Sequence, residues 1–142
     1  MTVEENLRLT DARMEALNAH DLDRFLDFHA ESVIINAPGL PEPMKGRAAG
    51  RDLVRGFLTA FPDLHLRKER SFGQGDWVCV ESTFTGTHKG PLQGPGGQMV
   101  PATNRSFRIP DCTVFKLEGG KVTEVHGYFE LLGMMAQLGL MS

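Results

Sequence analysis

The spacing of hydrophobic residues changes about halfway along the chain, at Pro62. Before that proline, apolar side chains recur three and four residues apart, which is typical of amphipathic helices. Asp21 is placed to cap the second helix, because a short acidic side chain accepts hydrogen bonds from the first free backbone N–H groups. The predicted helices cover residues 3–17, 19–30 and 48–61, and a strand of β-branched residues lies between the last two, at residues 32–38.

Beyond Pro62 the pattern alternates with a period of two, which predicts strands separated by turns. The Gly- and Pro-rich stretch 89–103 indicates a mobile loop. Pro110 has no backbone N–H to donate, so its strand is expected to be bulged or bent there. The predicted strands cover residues 64–72, 77–88, 105–117 and 122–130, and a short helix over residues 131–140 follows them.

This order of elements predicts an α+β fold and a single domain over residues 1–142. Three N-terminal helices are expected to pack on a strongly curved, mostly antiparallel sheet, followed by the short C-terminal helix. Long strands that contain glycines and a proline bend rather than stay flat. A bent sheet with helices across its concave side encloses a cone-shaped hollow, which is where a small ligand is expected.

Composition narrows the classes of partner. A net charge of -3 argues against nucleic acid or an anionic membrane as the main partner, because both favour basic surfaces. No run approaches the roughly 18 apolar residues of a membrane span, and the charged N-terminus is unlike a signal peptide, so we expect a cytoplasmic protein. Cys79 and Cys112 are interpreted as isolated, buried side chains, and the histidine spacing predicts no metal site.

Four stretches in the same order resemble one family: FPDLH at 61–65, TGTHKG at 85–90, PATNRSFRIP at 101–110 and GGKVTEVHGYFE…QLGL at 119–140. Together they are similar to the SnoaL-like polyketide (ester) cyclases of the NTF2-like superfamily. The resemblance implies an NTF2-like cone that forms a homodimer through the outer face of the sheet. It also implies cofactor-free chemistry on a small hydrophobic molecule inside the cone.

In that family an Asp usually stands where this chain has Glu130, and it is regarded as the general acid/base of an intramolecular aldol ring closure. His126 stands where better-matched cyclases tend to have Trp. Strand alternation places both residues on one face with Tyr128, and we expect that face to point into the hollow. Glu130 would then be the catalytic base and His126 its assistant. The expected substrate-binding residues are Tyr128, Asn36, His65, Phe28, Phe57, Phe61, Phe115 and Met134.

Each assignment has a structural alternative. Glu130 also suits the cap of the following helix, and His126 and Tyr128 also suit a rim or core position. A ketosteroid-isomerase-like proton shuttle needs Tyr128 and an uncharged Asp111 in the pocket, whereas Asp111 is expected to point outward. The remaining alternative is a non-catalytic small-molecule-binding or dimeric interaction module. An epoxide-hydrolase-like Asp–Arg–Asp arrangement is not visible in the sequence.

Overall fold

A computed structural model describes residues 1–94 and 97–141 of the chain. The predicted helices are present, and their N-terminal caps follow from sequence: Thr2 and Glu5 form a reciprocal capping box, and Asp21 accepts the backbone N–H of Arg24. The second helix is shorter than predicted, because His29 already begins a strand. The helices are α1 (Val3–Asn18), α2 (Leu22–Asp27), α3 (Arg47–Ala60) and α4 (Leu131–Gln137).

The strands form a curled six-stranded mixed sheet and a separate two-stranded hairpin, which confirms the expected α+β class. The large sheet has the order β2-β1-β8-β7-β4-β3, and only the β1–β8 pairing is parallel. The strands are β1 (His29–Asn36), β2 (Met44–Lys45), β3 (His65–Gln74), β4 (Trp77–Thr87), β5 (Leu92–Gln93), β6 (Met99–Val100), β7 (Ser106–Glu118) and β8 (Lys121–Phe129).

The expected bulge at Pro110 is wrong. Pro110 pairs with Thr83 in a β4–β7 register that runs without a shift, and the pairing of β7 with β8 begins one residue later, at Asp111. The missing N–H therefore interrupts no described pairing. The register shifts of β7 and β3 lie elsewhere, between Lys116 and Leu117 and between Lys68 and Arg70.

The Gly-rich stretch between β4 and β7 contains paired strands where a loop was predicted. It carries the β5–β6 hairpin, and it is tied to the end of α3, because the N–H groups of Lys89 and Gly90 both donate to the carbonyl of Ala60. A Cβ at Gly90 would lie 2.2 Å from the carbonyl oxygen of Thr59, so this contact requires glycine. Pro95 and Gly96 of the predicted loop lie outside the described residues.

The two faces of the sheet differ in composition. Alternate residues of β4 and β7, such as Val80, Phe84 and Phe115, point inward and form the core with the helices. Cys79 and Cys112 lie on the outer face with their Sγ atoms 3.5 Å apart, so the prediction that they are isolated is wrong, and they are half-buried instead of fully buried. No helix among the described residues is long and apolar enough to cross a bilayer.

Candidate active site

The space between the helices and the sheet is divided into two adjoining chambers. We call the larger one, of about 650 Å³, the outer vestibule, and the smaller one, of about 150 Å³, the inner chamber. Leu53, Phe57 and Phe129 line both chambers and mark the place where they meet. Apart from this shared wall, the vestibule is bounded mainly by α3, α4, the β5–β6 hairpin and the segment after β1.

Several polar side chains converge on the inner chamber. They come from four different elements, so the fold and not local sequence brings them together. They are Arg13 from α1, His29 from β1, Arg47 from α3, and Asp111 and Thr113 from β7. Asn36 of β1 also borders the chamber, but its side chain alternates with the inward Val33 and Ile35 and points to the outer face, so its expected place in the hollow is wrong.

Arg13 is held between two aromatic rings. Its guanidinium carbon lies 4.6 Å from the ring centroids of both Phe25 and Phe115, and its Nε donates to Nε2 of His29 at 2.9 Å. Burial lowers the pKa of Arg13 to about 9, which leaves it a cation at neutral pH. Its terminal nitrogens have no hydrogen-bond or ion-pair partner in residues 1–94 and 97–141.

His29 is a neutral acceptor in this arrangement. Its burial, and next the charge of Arg13, lower its pKa to about 3. Because Nε2 accepts from Arg13, the ring proton resides on Nδ1. The backbone carbonyl of His29 accepts from Nε of Arg47 at 2.8 Å, so one histidine orients both arginines of the chamber.

Asp111 points inward, contrary to the expectation from sequence. It accepts hydrogen bonds from the hydroxyls of Ser82 and Thr113, each at 3.2 Å. Burial raises its pKa, and the two hydroxyls and the charge of Arg13 offset only part of that effect. A desolvated carboxyl with a raised pKa is a stronger base when ionised and a competent acid when protonated, which suits proton transfer.

Glu130 does not line the cavity. It is exposed at the junction of β8 and α4, and its carboxylate caps α4 by accepting the backbone N–H of Gly133. This is the structural alternative that the sequence left open. The prediction that Glu130 points into the hollow is therefore wrong.

His126 and Tyr128 also face away from the cavity. Alternation along β8 places Val125, Gly127 and Phe129 inside, which turns His126 and Tyr128 to the outer face of the sheet. His126 donates from Nε2 to Glu124 at 2.9 Å, and its Nδ1 accepts from the side-chain amide of Asn36 at 3.1 Å. Tyr128 is 63% exposed. The expected inward orientation of His126 and Tyr128 is therefore wrong.

The other predicted substrate-binding residues divide into two groups. Phe57 lines both chambers, and the buried Met134 lines the vestibule. The remaining residues lie elsewhere: Phe61 and Phe115 are buried in the core, Phe28 packs beside the cluster of Phe25, and His65 is exposed at the start of β3. Their expected place on the cavity wall is wrong.

The comparison with known families agrees with this architecture. The family model described as SnoaL-like polyketide cyclase matches residues 8–138. The chain belongs to the SnoaL-like polyketide cyclase family. No curated protein matches the chain.

Solved structures show the same fold over nearly the whole SnoaL-like chain. TsrD from Streptomyces laurentii is 23% identical with a TM-score of 0.84, and the match covers 99% of both chains. A putative polyketide cyclase from Xanthomonas campestris pv. campestris is 25% identical with a TM-score of 0.84, covering 96% of this chain and 98% of that one. IdmH, a putative polyketide cyclase from Streptomyces antibioticus, is 24% identical with a TM-score of 0.78, over 93% and 96% of the two chains.

Sequence reasoning missed three polar residues of the chamber in this SnoaL-like protein, and the sequence indicated their inward position to different degrees. The inward orientation of Asp111 was predictable, because Asp111 lies on the same face of β7 as Ile109 and Phe115, and apolar residues mark that face as inward. Arg13 had a weaker signal: it follows the buried Asn6 and Thr10 at helical spacing, so it shares their side of α1. Arg47 had none, because its role depends on the carbonyl of His29.

Proposed function

We propose that this SnoaL-like protein is an enzyme that transfers a proton on a small carbonyl substrate, in an enolisation or an aldol cyclisation, with Asp111 as the acid/base. The observation that carries the proposal is a largely buried carboxyl of raised pKa facing a chamber that also holds a buried cation, Arg13. Family membership supports the same class of chemistry. The base is thus assigned to β7 instead of to the end of β8.

The reaction follows from these two side chains. The ionised Asp111 takes a proton from the carbon next to the substrate carbonyl, and the electron pair of the broken C–H bond moves onto the carbonyl oxygen as an enolate. The Arg13 cation stabilises the negative charge that develops there. In an aldol closure the enolate carbon then forms a C–C bond to a second carbonyl, and the resulting alkoxide takes the proton back from Asp111. These steps balance without a cofactor, so we propose cofactor-free chemistry.

A non-catalytic binding module is the competing candidate. It is favoured by the exposed, helix-capping position of Glu130, because the acid that the family resemblance singled out is not in the cavity. The ketosteroid-isomerase-like arrangement with Tyr128 has lost its support, since Tyr128 faces outward while Asp111 faces inward.

We also propose that the chain is a homodimer through the outer face of the sheet. Large apolar side chains are exposed there, with Phe72 at 57% and Trp77 at 40% of their surface accessible. Burying such side chains against a second copy is favourable by the hydrophobic effect. Sedimentation velocity of the wild type and of Trp77→Arg tests this: a dimer that the substitution dissociates is expected, and a monomeric wild type refutes it.

Proton exchange in D₂O, followed by NMR, tests the catalytic proposal. The wild type is offered a panel of small carbon acids that includes polyketide methyl esters and enolisable ketones, and it is compared with Asp111→Asn. Glu130→Gln is the matched control, since it removes the carboxylate that lies outside the cavity. We expect exchange with the wild type and Glu130→Gln, and none with Asp111→Asn.

Two other outcomes are informative. Exchange that survives in Asp111→Asn but is lost in Glu130→Gln would return the catalytic role to Glu130. Absence of exchange in every protein, together with a higher melting temperature in the presence of hydrophobic ligands, would identify a binding module.

A further inference from the structure

The inner chamber carries more positive than negative charge. Its lining has two guanidinium groups, those of Arg13 and Arg47, and one carboxyl, Asp111, while His29 is neutral at physiological pH. The chain as a whole has a net charge of -3, so the chamber is an electropositive site inside an acidic protein.

The donors of Arg13 are not used by the protein. Only its Nε has a partner among the described residues, and no carboxylate oxygen of Asp111 comes within 4.0 Å of its nitrogens. Phe25 and Phe115 hold the guanidinium carbon 4.6 Å from their ring centroids and offer it no hydrogen-bond acceptor, so its terminal N–H groups remain available to a ligand. A planar guanidinium with free N–H groups matches the two oxygens of a carboxylate.

The size of the chamber limits the size of the organic group that the carboxylate can carry. A volume of about 150 Å³ is comparable to an apolar cavity that accepts a benzene molecule. The wall is apolar at Val33, Ile35 and Phe84, so a single ring or a short branched chain fits it. Any longer part of a ligand has to extend past Phe57 and Phe129 into the vestibule.

We propose that the inner chamber binds an organic acid, whose carboxylate pairs with Arg13 while its ring-sized apolar body fills the chamber. This assignment names the substrate class of the proposed function, a carbonyl compound that bears a carboxylate, and to that extent rests on it. A carboxylate held beside Asp111 also makes that residue a stronger base, because a neighbouring negative charge disfavours a second ionisation.

Isothermal titration of two probes of the same shape tests the proposal. Benzoate and benzamide differ in charge but have nearly the same volume. A charge-assisted hydrogen bond corresponds to roughly tenfold or more in affinity, so wild type is expected to bind benzoate at least about 10-fold more tightly than benzamide. Arg13→Met should abolish that preference, and Arg55→Met, which removes an exposed arginine of the vestibule, should leave it unchanged.

Asp111→Asn separates this proposal from the proposed function. It should strengthen benzoate binding by removing a like charge, and it should also abolish proton exchange. If the chamber binds organic acids but does not catalyse proton transfer, wild type should bind benzoate more tightly than benzamide and show no proton exchange. If the protein catalyses proton transfer but has no site for organic acids, wild type should exchange protons on neutral ketones and bind benzamide as tightly as benzoate.

Equal or tighter binding of benzamide by wild type overturns the proposal whatever the variants do. If Arg13→Met fails to fold, Arg13→Lys replaces it: a lysine keeps the charge but loses the planar fork, so benzoate should bind more weakly than to wild type and still more tightly than benzamide. Loss of benzoate binding in Asp111→Asn would also contradict the proposal.

Discussion

Replacing Gly127 by a larger residue should stabilise the fold and weaken ligand binding in the inner chamber. It lies in β8 between Val125 and Phe129 and forms part of the wall of the inner chamber. A Cβ built at this position meets only the carbonyl oxygen of Asn36 within 4 Å, at an ordinary van der Waals distance of 3.7 Å. Gly127→Ala therefore places a methyl group in the chamber without displacing any atom of the wall.

The fold should become more stable. Glycine within a strand costs roughly 0.5–1 kcal/mol relative to alanine, because it loses more backbone freedom on folding. Gly127 does not use the left-handed region that only glycine tolerates easily, so alanine fits its backbone without strain. A gain of about 0.5–1 kcal/mol corresponds to a rise in melting temperature of roughly 2–4 °C for a domain of this size.

Ligand binding in the chamber should become weaker. One carbon group takes about the ~30 Å³ that a water molecule occupies in the liquid. Gly127→Ala then removes about a fifth of the roughly 150 Å³ chamber, and Gly127→Val, with three carbons, removes more than half. A ring that just fits the wild type should be accepted poorly by the alanine variant and excluded by the valine variant.

Differential scanning calorimetry and titration with benzamide or benzoate measure the two effects on the same samples. Gly56→Ala is the matched control, because a Cβ there has nothing within 4 Å and Gly56 lies in α3, outside the inner chamber. It should stabilise the protein by up to about 1 kcal/mol and leave ring binding unchanged. A stable Gly127→Val protein that binds the ring as tightly as wild type would refute the placement of the ligand in this chamber.

Five further predictions concern other parts of the molecule. Glu130→Ala should lower the free energy of unfolding by about 1 kcal/mol through loss of the α4 cap, measured by urea denaturation, with the exchange rate unchanged. Since burial holds the folded-state pKa of Asp111 above 3.8, the exchange rate should rise with pH to a midpoint above that value. In the same window the folded state binds more protons than the unfolded chain, so the contribution of Asp111 to stability should fall as pH rises, a fall that is absent from urea titrations of Asp111→Asn. The pKa of Cys112 is raised to about 11, mainly by burial, so its alkylation by iodoacetamide should be slow at pH 8 and accelerate toward that value, as mass spectrometry can follow. Phe107→Ala should cost about 3–5 kcal/mol in denaturant titrations, because it removes a buried ring that contacts Phe61 and Phe84 edge-on, each at 4.9 Å between centroids.

Much of the fold was predictable because periodicity reports secondary structure directly. α1, α3 and β4 begin and end within one or two residues of the positions that the sequence predicted. The second helix was predicted too long because His29 continues its apolar spacing. In the structure that histidine starts β1 and accepts from Arg13, a contact with α1 that no local pattern contains.

Pairing in the sheet was less predictable than the strands themselves. The sequence indicates four long strands after Pro62, and all four pair in antiparallel order with their neighbours in the sequence. The parallel pairing of β1 with β8 joins strands that are more than 80 residues apart. Such a contact depends on how the whole sheet curls, and hydrophobic periodicity carries no information about it.

The wrong prediction for Glu130, His126 and Tyr128 shows which residues determine the face of a strand that points inward. In β8, the presence of Glu130 led to the prediction that the face of His126 and Tyr128 points inward. The apolar residues that need burial, Val125 and Phe129, lie on the opposite face. Burial of apolar side chains involves more free energy than the placement of one carboxylate that water can solvate, so the apolar face determines the orientation. The same argument applied to β7 puts Asp111 inside, because Ile109 and Phe115 flank it on the inward side. A polar residue on a face that is otherwise apolar has to be compensated within the protein, and here Ser82, Thr113 and the charge of Arg13 compensate it. A carboxyl kept buried at that cost is a better candidate for chemistry than one that caps a helix in solvent.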